Sequence, residues 1–295
     1  MKKIAKSMGS AVQAVLLIGL WAGIAYAALP FITDDAGTLG RGTSQMELLY
    51  VGSTSKETDG GSTVKIDRSL PGATFGYGVA ETLDLTLGFA RSWGTVTVDG
   101  ISSNDSGRAD YLLNAKWRFF EKGGYRFAVK PLVGYSYHVG GTSDDHVASY
   151  GGWFIATREH EALAVSLNAG YFYIDYGSAT ERDSSRSSIW SLSALATYEV
   201  LAGLKVGLDV GASTNPDKAS SEIPIYALAG AIYSLNKNVE LSLGLKFASQ
   251  SPSRILPESR ESPSNSSPRR SPRVGPADRF QPLTVVLSCA GVPFP

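Results

Sequence analysis

Between residues 45 and 248 one pattern recurs: apolar side chains at every second position, in runs of about ten residues broken by polar or glycine-containing connections. Leu83, Leu85, Leu87 and Phe89 alternate with Asp84, Thr86, Gly88 and Ala90, and Val239, Leu241, Leu243, Leu245 and Phe247 alternate with Glu240, Ser242, Gly244 and Lys246. A period of two places like residues on one face of an extended strand, whereas a helix would scatter them around its axis. The same reading predicts strands near 45–53, 71–80, 83–93, 108–120, 125–139, 146–158, 162–176, 186–199, 203–212, 223–234 and 238–248. Most have the length that crosses a bilayer when tilted, about 9 to 11 residues.

The connections divide into two kinds. After the even-numbered strands of this set they are tight: Glu81-Thr82, Glu121 to Gly124, Glu159 to Glu161, Leu201-Ala202 and Leu235 to Lys237. After the odd-numbered ones they are mostly longer and polar, as at Thr54 to Leu70, Gly94 to Gly107, Gly177 to Ser185 and Ser213 to Glu222. Strict alternation of short and long connections is the signature of an up-and-down outer-membrane barrel, with tight periplasmic turns and longer external loops. A soluble sandwich with crossing connections has no reason to produce it. The predicted fold is therefore all-β: a transmembrane antiparallel up-and-down β-barrel of about twelve strands.

With odd strands running outward, Trp93, Tyr111, Tyr137, Tyr173 and Trp190 fall toward the external rim. Tyr77, Phe119, Phe127, Phe154, Tyr198 and Tyr233 fall toward the periplasmic rim, which makes two aromatic girdles. The polar residues alternating with the apolar ones then face the lumen. The pore-lining candidates are Asp84, Lys116, Arg118, Lys130, His138, Asn168, Lys205, Asp209, Glu240 and Lys246, together with Asn114. Most such charges are expected to pair across the barrel and hold its shape.

Lys+Arg and Asp+Glu both total 27, which argues against a nucleic-acid binder working through overall positive charge. One cysteine, Cys289, permits no intramolecular disulfide. The three histidines, His138, His146 and His160, lack metal-ligand spacing, and the chain contains neither a nucleophile elbow nor a phosphate-binding loop. No enzyme activity, cofactor or metal is expected. Lys2, Lys3 and Lys6 precede an apolar run from Ala14 to Ile24 and the small-x-small sequence Ala25-Tyr26-Ala27. Residues 1–27 thus read as a cleaved signal peptide, too short in its apolar part to span a membrane, and 28–248 as the barrel.

The barrel region opens with Ala28-Leu29-Pro30-Phe31-Ile32-Thr33-Asp34-Asp35-Ala36-Gly37-Thr38-Leu39-Gly40-Arg41-Gly42, followed by Gln45-Met46-Glu47-Leu48. Thr33 to Gly37 reads as a turn in which Asp34 or Asp35 accepts backbone N–H bonds and Gly37 is free to take a positive φ. A cation site on Asp34 and Asp35 would fall short of the ligand number calcium prefers. The Thr-Asp-Asp-x-Gly-Thr run, then a basic residue, Gly and a Gln-x-Glu strand, resembles the start of the outer-membrane transporter family named for the MetA pathway of phenol degradation. The motif residues are Thr33, Asp34, Asp35, Gly37 and Thr38. The resemblance implies an outer-membrane barrel that passes small, often hydrophobic or aromatic compounds, without catalytic residues. Phe31 to Gly42 is the segment placed to act as a partial plug.

The end of the chain breaks the pattern. Nine of the 14 prolines lie in 249–295, and Ser262 to Arg273 is rich in Ser, Pro and Arg. Such a stretch buries little and cannot form a continuous ladder, so 249–295 reads as a disordered tail. One strand is then lost or replaced, since single-chain barrels have even strand numbers. Two accounts stand open: a translated frameshift near Ala248 to Ser253, or a poor twelfth strand over Pro282 to Ser288. The expected protein is a bacterial outer-membrane channel for passive or facilitated uptake of small solutes. Its expected partners are outer-membrane lipid, the barrel assembly machinery and those solutes, not nucleic acid. The alternative is a non-conducting structural or adhesive barrel.

Overall fold

The alternating segments all fold as strands. The computed structural model describes residues 30–59, 62–141 and 146–248, and the backbone of 283–289. In chain order the elements are β1 (Ser44–Asp59), β2 (Ser62–Ala80), β3 (Leu83–Arg91), β4 (Trp93–Val98), β5 (Ile101–Asp105), β6 (Arg108–Lys122), β7 (Tyr125–His138), β8 (His146–His160) and β9 (Leu163–Tyr176). A short helix α1 (Ala179–Ser184) precedes β10 (Ser188–Leu201), β11 (Leu204–Ser213), β12 (Ile225–Asn236), β13 (Val239–Ala248) and β14 (Leu283–Cys289). The predicted signal peptide, and the tail apart from β14, lie outside the described residues.

Every pairing is antiparallel, and neighbours in sequence are neighbours in space except where β4 and β5 intervene between β3 and β6. The ladder runs β1, β2, β3, then β6 through β13, then β14, which bonds to both β13 and β1. Strand pairing thus returns on itself through twelve strands. Of the two accounts of the chain's end, the replacement strand expected over Pro282 to Ser288 is the one the pairing matches: Leu283–Cys289 fills the position between Val239–Leu245 and Met46–Gly52. The physical reason is that lipid offers no hydrogen bonds, so the edges of β1 and β13 need a partner, and a short segment such as Leu-Thr-Val-Val-Leu suffices.

The external connections also differ from the expected loops. β1 and β2 continue pairing as far as Asp59 and Ser62, well above the membrane segment. The lower half of β2, from Gly72, pairs with β3, while Val64–Ser69 pairs with β4, and β4 with β5. A four-stranded extension results where two polar loops were expected. Its inward-facing Val51, Val64, Ile66 and Val96 supply an apolar side, and its outward Thr54, Lys65 and Asp67 are bonded to one another. The connections at the other end are tight as predicted; Gly123 and Gly124 both take positive φ, as a type I′ hairpin turn requires.

Leu87, Leu113, Leu167, Leu192, Leu208 and Leu243 point outward and are half or more exposed, and Leu87 and Leu113 are cross-strand partners. Tyr111 stacks on Tyr137 near the external end, and Phe119, Phe127 and Phe154 cluster near the tight turns. Such a belt would drive aggregation in water and is what a lipid-facing wall requires. The buried apolar clusters lie instead inside the barrel. Phe31 packs with Leu195, Leu228 and Ile232, and Ala36 packs with Ala128 and Ile155. Both are built around residues 30–43, the segment that precedes β1.

Candidate functional site

Residues 30–43 cross the lumen from one wall to the other. An eight-stranded barrel is filled by its own side chains and a sixteen-stranded one leaves an aqueous channel, so twelve strands leave room for an extended segment and some space besides. Gly207, Gly230 and Gly244 are consecutive cross-strand partners on β11, β12 and β13. A Cβ on Gly207 would sit 2.6 Å from the Phe31 ring, and one on Gly230 2.7 Å from Pro30. The three glycines therefore form a hollow that receives Pro30 and Phe31.

From there the segment is bonded to one strand after another. Asp209 of β11, fully buried, accepts from Ile32 N (2.6 Å), Thr33 N (2.8 Å) and Thr33 Oγ1 (2.6 Å), and from Tyr226 Oη (3.0 Å). With its side-chain amide turned so that both groups are satisfied, Asn168 of β9 pairs with the Asp34 backbone, its nitrogen donating to the carbonyl (2.9 Å) and its oxygen accepting from Asp34 N (2.8 Å). The Asp34 carboxylate bridges Lys116 Nζ of β6 (2.9 Å) and Lys130 Nζ of β7 (2.6 Å), and Lys116 also donates to the Asp35 carbonyl (3.1 Å). Ala36 N donates to Thr157 of β8, and Leu39 N to Asp84 of β3 at 2.9 Å. Gly42 N and the Thr43 carbonyl then bond to Gly78 of β2, and the chain turns into β1.

Burial would push the Asp34 carboxyl up, yet the two ammonium groups outweigh it and hold it well below the usual carboxylate range. Asp35 turns away and accepts from Gly37 N, so the two adjacent carboxylates do not converge as a cation site would require. Positive φ falls on Gly40 and Gly42 rather than on Gly37, because the Asp35 side chain closes the turn without it. Thr38 Oγ1 donates to the Glu81 carbonyl at the periplasmic turn.

Of the lumen candidates, Asp84, Lys116, Lys130, Asn168 and Asp209 meet the crossing segment directly. Asn114 is buried in the same wall. Arg118 donates to the Glu81 carbonyl, Glu240 accepts from Ser234, and Lys205 lies opposite Ile232, all toward the tight turns. His138 lies at the external end with Asp105 at 3.9 Å, and Lys246 stands over the Tyr226 ring at 4.9 Å. The Gln-x-Glu residues also face inward, Gln45 donating to Glu47 and Thr74 donating to the same carboxylate.

Alternation alone missed the inward aromatic residues. Trp153 packs on the Ala36 cluster and meets Phe172 edge-on at 5.0 Å, while Tyr226 joins the Phe31 cluster. Trp153 covers Gly170 and Phe172 covers Gly151, each its direct cross-strand partner. A signal was present: the run Trp153-Phe154-Ile155 has no polar face, and a strand apolar on both faces must put one set inward.

An outward apolar belt, two aromatic girdles and strand pairing that returns on itself around a lumenal segment define a bacterial outer-membrane β-barrel. The chain belongs to the family described as "Putative MetA-pathway of phenol degradation", which it matches over residues 33–258. No curated protein matches it in sequence. In fold it is similar to an outer-membrane channel from Pseudomonas putida F1, at 12% identity over 86% of this chain and 97% of that one, with a TM-score of 0.57. It is also similar to the NanC porin, at 9% identity over 82% and 98%, with a TM-score of 0.50. A third likeness is to the TodX deltaS2S3 mutant monoaromatic hydrocarbon channel, at 12% identity over 94% and 97%, with a TM-score of 0.49. The first two of these likenesses, at identities this low, speak for the fold and leave the solute open.

Proposed function

We propose that the protein is an outer-membrane channel for passive or facilitated uptake of small solutes, hydrophobic and aromatic ones included, and that residues 30–43 are its constriction. The observation that carries this reading is the way the segment is held. Besides apolar clusters at Phe31 and Ala36, it is held by hydrogen bonds and ion pairs to polar wall residues, contacts that water or a polar solute can replace when the segment is released. Trp153, Phe172 and Tyr226 add flat apolar surface beside the polar groups, which suits a solute with an aromatic ring. Asp84, Lys116, Lys130, Asn168 and Asp209 set the constriction, and Arg118, His138, Lys205, Glu240 and Lys246 line the approaches. Insertion is the task of the barrel assembly machinery, no nucleic acid is bound, and no catalytic step is involved.

The test is current through planar bilayers from the wild type and from Asp34→Asn/Asp209→Asn, whose segment is loosened at two points. Larger or more frequent openings in the variant support the channel. Zero current from both, with both migrating as heat-modifiable barrels, favours the alternative of a structural or adhesive barrel. The external four-stranded extension would then be the contact surface.

A further inference from the structure

The Asp34 carboxylate occupies a site that is built for a carboxylate. Lys116 and Lys130 lie on adjacent strands and converge on its two oxygens, Oδ1 and Oδ2 respectively, with all three side chains less than one-fifth exposed. Lys116 has a second acid within reach, because Asp84 is its cross-strand partner and has one carboxylate oxygen without a hydrogen-bond partner. Lys130 is in a different position. Among the described residues Asp34 is the one acid in ion-pair contact with it, and the residue directly opposite it on β8 is Trp153, which also faces the lumen. When the segment leaves, Lys130 loses its ion-pair partner and keeps an indole beside it, with Glu47 of the wall as a more distant acid that its charge still reaches, an arrangement that costs free energy until an anion arrives in contact.

We infer that Lys130, with Lys116 and Trp153, is a receptor for a small aromatic carboxylate, which Asp34 fills when the lumen is closed. This rests on the channel reading above and names a solute class for it. The carboxylate would take the place of the Asp34 oxygens between the ammonium groups, and the ring would lie against Trp153 and Phe172, which meet edge-on at 5.0 Å. Solute and plug then exclude one another: an arriving carboxylate competes with Asp34, and the segment is held out for as long as the solute is bound. A neutral aromatic of the same shape lacks the group that displaces Asp34, so the site distinguishes an aromatic acid from the corresponding alcohol.

The test is calorimetric titration of sodium benzoate, with benzyl alcohol as the neutral probe, into the full chain in detergent. Asp34→Ala removes the internal competitor and should bind benzoate about tenfold or more tightly than the wild type, since a tethered group competes at an effective concentration in the millimolar range. Asp34→Ala/Lys130→Met should lose that binding, and benzyl alcohol should bind none of the three proteins. Heat-modifiable migration verifies that each barrel is formed, and Asp34→Asn replaces Asp34→Ala if the latter is not. Equal benzoate binding by wild type and Asp34→Ala, retention of binding in the double variant, or equal binding of acid and alcohol would each overturn the receptor. Bilayer currents from the same preparations report on the channel separately. Currents without benzoate binding leave the channel and remove the receptor, whereas benzoate binding without currents keeps the receptor and removes the channel.

Discussion

Asp209→Asn is the substitution that separates the crossing segment from the barrel wall most cleanly. The side chain is fully buried, and it receives three hydrogen bonds from the segment, from Ile32 N, Thr33 N and Thr33 Oγ1, besides that from Tyr226. Asparagine has nearly the same shape but one accepting oxygen and no charge. A hydrogen bond to a charged group contributes about 1.5 to 3 kcal/mol and one between neutral groups about 0.5 to 1.5, so each of the three weakens by roughly 1 kcal/mol. The segment should therefore be held about 3 kcal/mol less tightly, which is roughly a hundredfold in the population of its released form. Native-state amide exchange reads this directly, because a segment that opens as a unit exchanges together while the strands stay closed. The Thr33, Ala36 and Leu39 amides, which donate to Asp209, Thr157 and Asp84, should all lose about a hundredfold in protection, with β8 and β9 unchanged. Undiminished protection at Ala36 and Leu39 would refute the idea that the segment opens as one piece. Equal losses in the strands would refute its independence from the wall.

Three further outcomes follow from the same geometry. Because the Asp34 carboxyl is held well below its usual range, its contribution to docking is complete above the ordinary carboxylate value of about 3.9 and is lost only as pH falls through the depressed one. The difference in segment protection between wild type and Asp34→Asn should therefore be flat from about pH 8 to pH 5, and a difference that fades within that interval would mean that burial outweighs the two lysines. Gly207→Val places atoms where the Phe31 ring lies, with Thr197 and the Ala196 carbonyl close behind. It should release the start of the segment at a cost of about 1.5 to 3 kcal/mol of Phe31 burial, while heat-modifiable migration persists. Leu87→Arg puts a charge at the middle of a lipid-facing strand and should weaken refolding into vesicles by about 2 to 4 kcal/mol, measured by denaturant titration; a change near zero would place Leu87 outside the hydrocarbon.

The wall was legible because its code is local. A strand exposes residues i and i+2 to the same side, so Leu83 to Phe89 and Val239 to Phe247 declare their faces without reference to any other part of the chain. Connection lengths likewise carry the alternation of tight and long ends. The external extension was not legible, since above the membrane a ladder needs no apolar outer face, and Thr54, Lys65 and Asp67 read as loop. Trp153 and Phe172 were missed for the converse reason: the strand that holds Trp153 is apolar on both faces, and periodicity cannot say which face turns inward.

The sequence by itself determined that this chain makes a membrane barrel and marked Thr33 to Thr38 as the segment that departs from the strand pattern. Only the tertiary structure decided what that segment touches. Asp34 meets Lys116 and Lys130 across 82 and 96 residues, and Thr33 meets Asp209 across 176. Such pairings depend on strand register and on the order in which strands close around the lumen, quantities that no local repeat encodes. The same holds for β14, which is weakly marked in sequence and is called for by two open edges that lipid cannot satisfy.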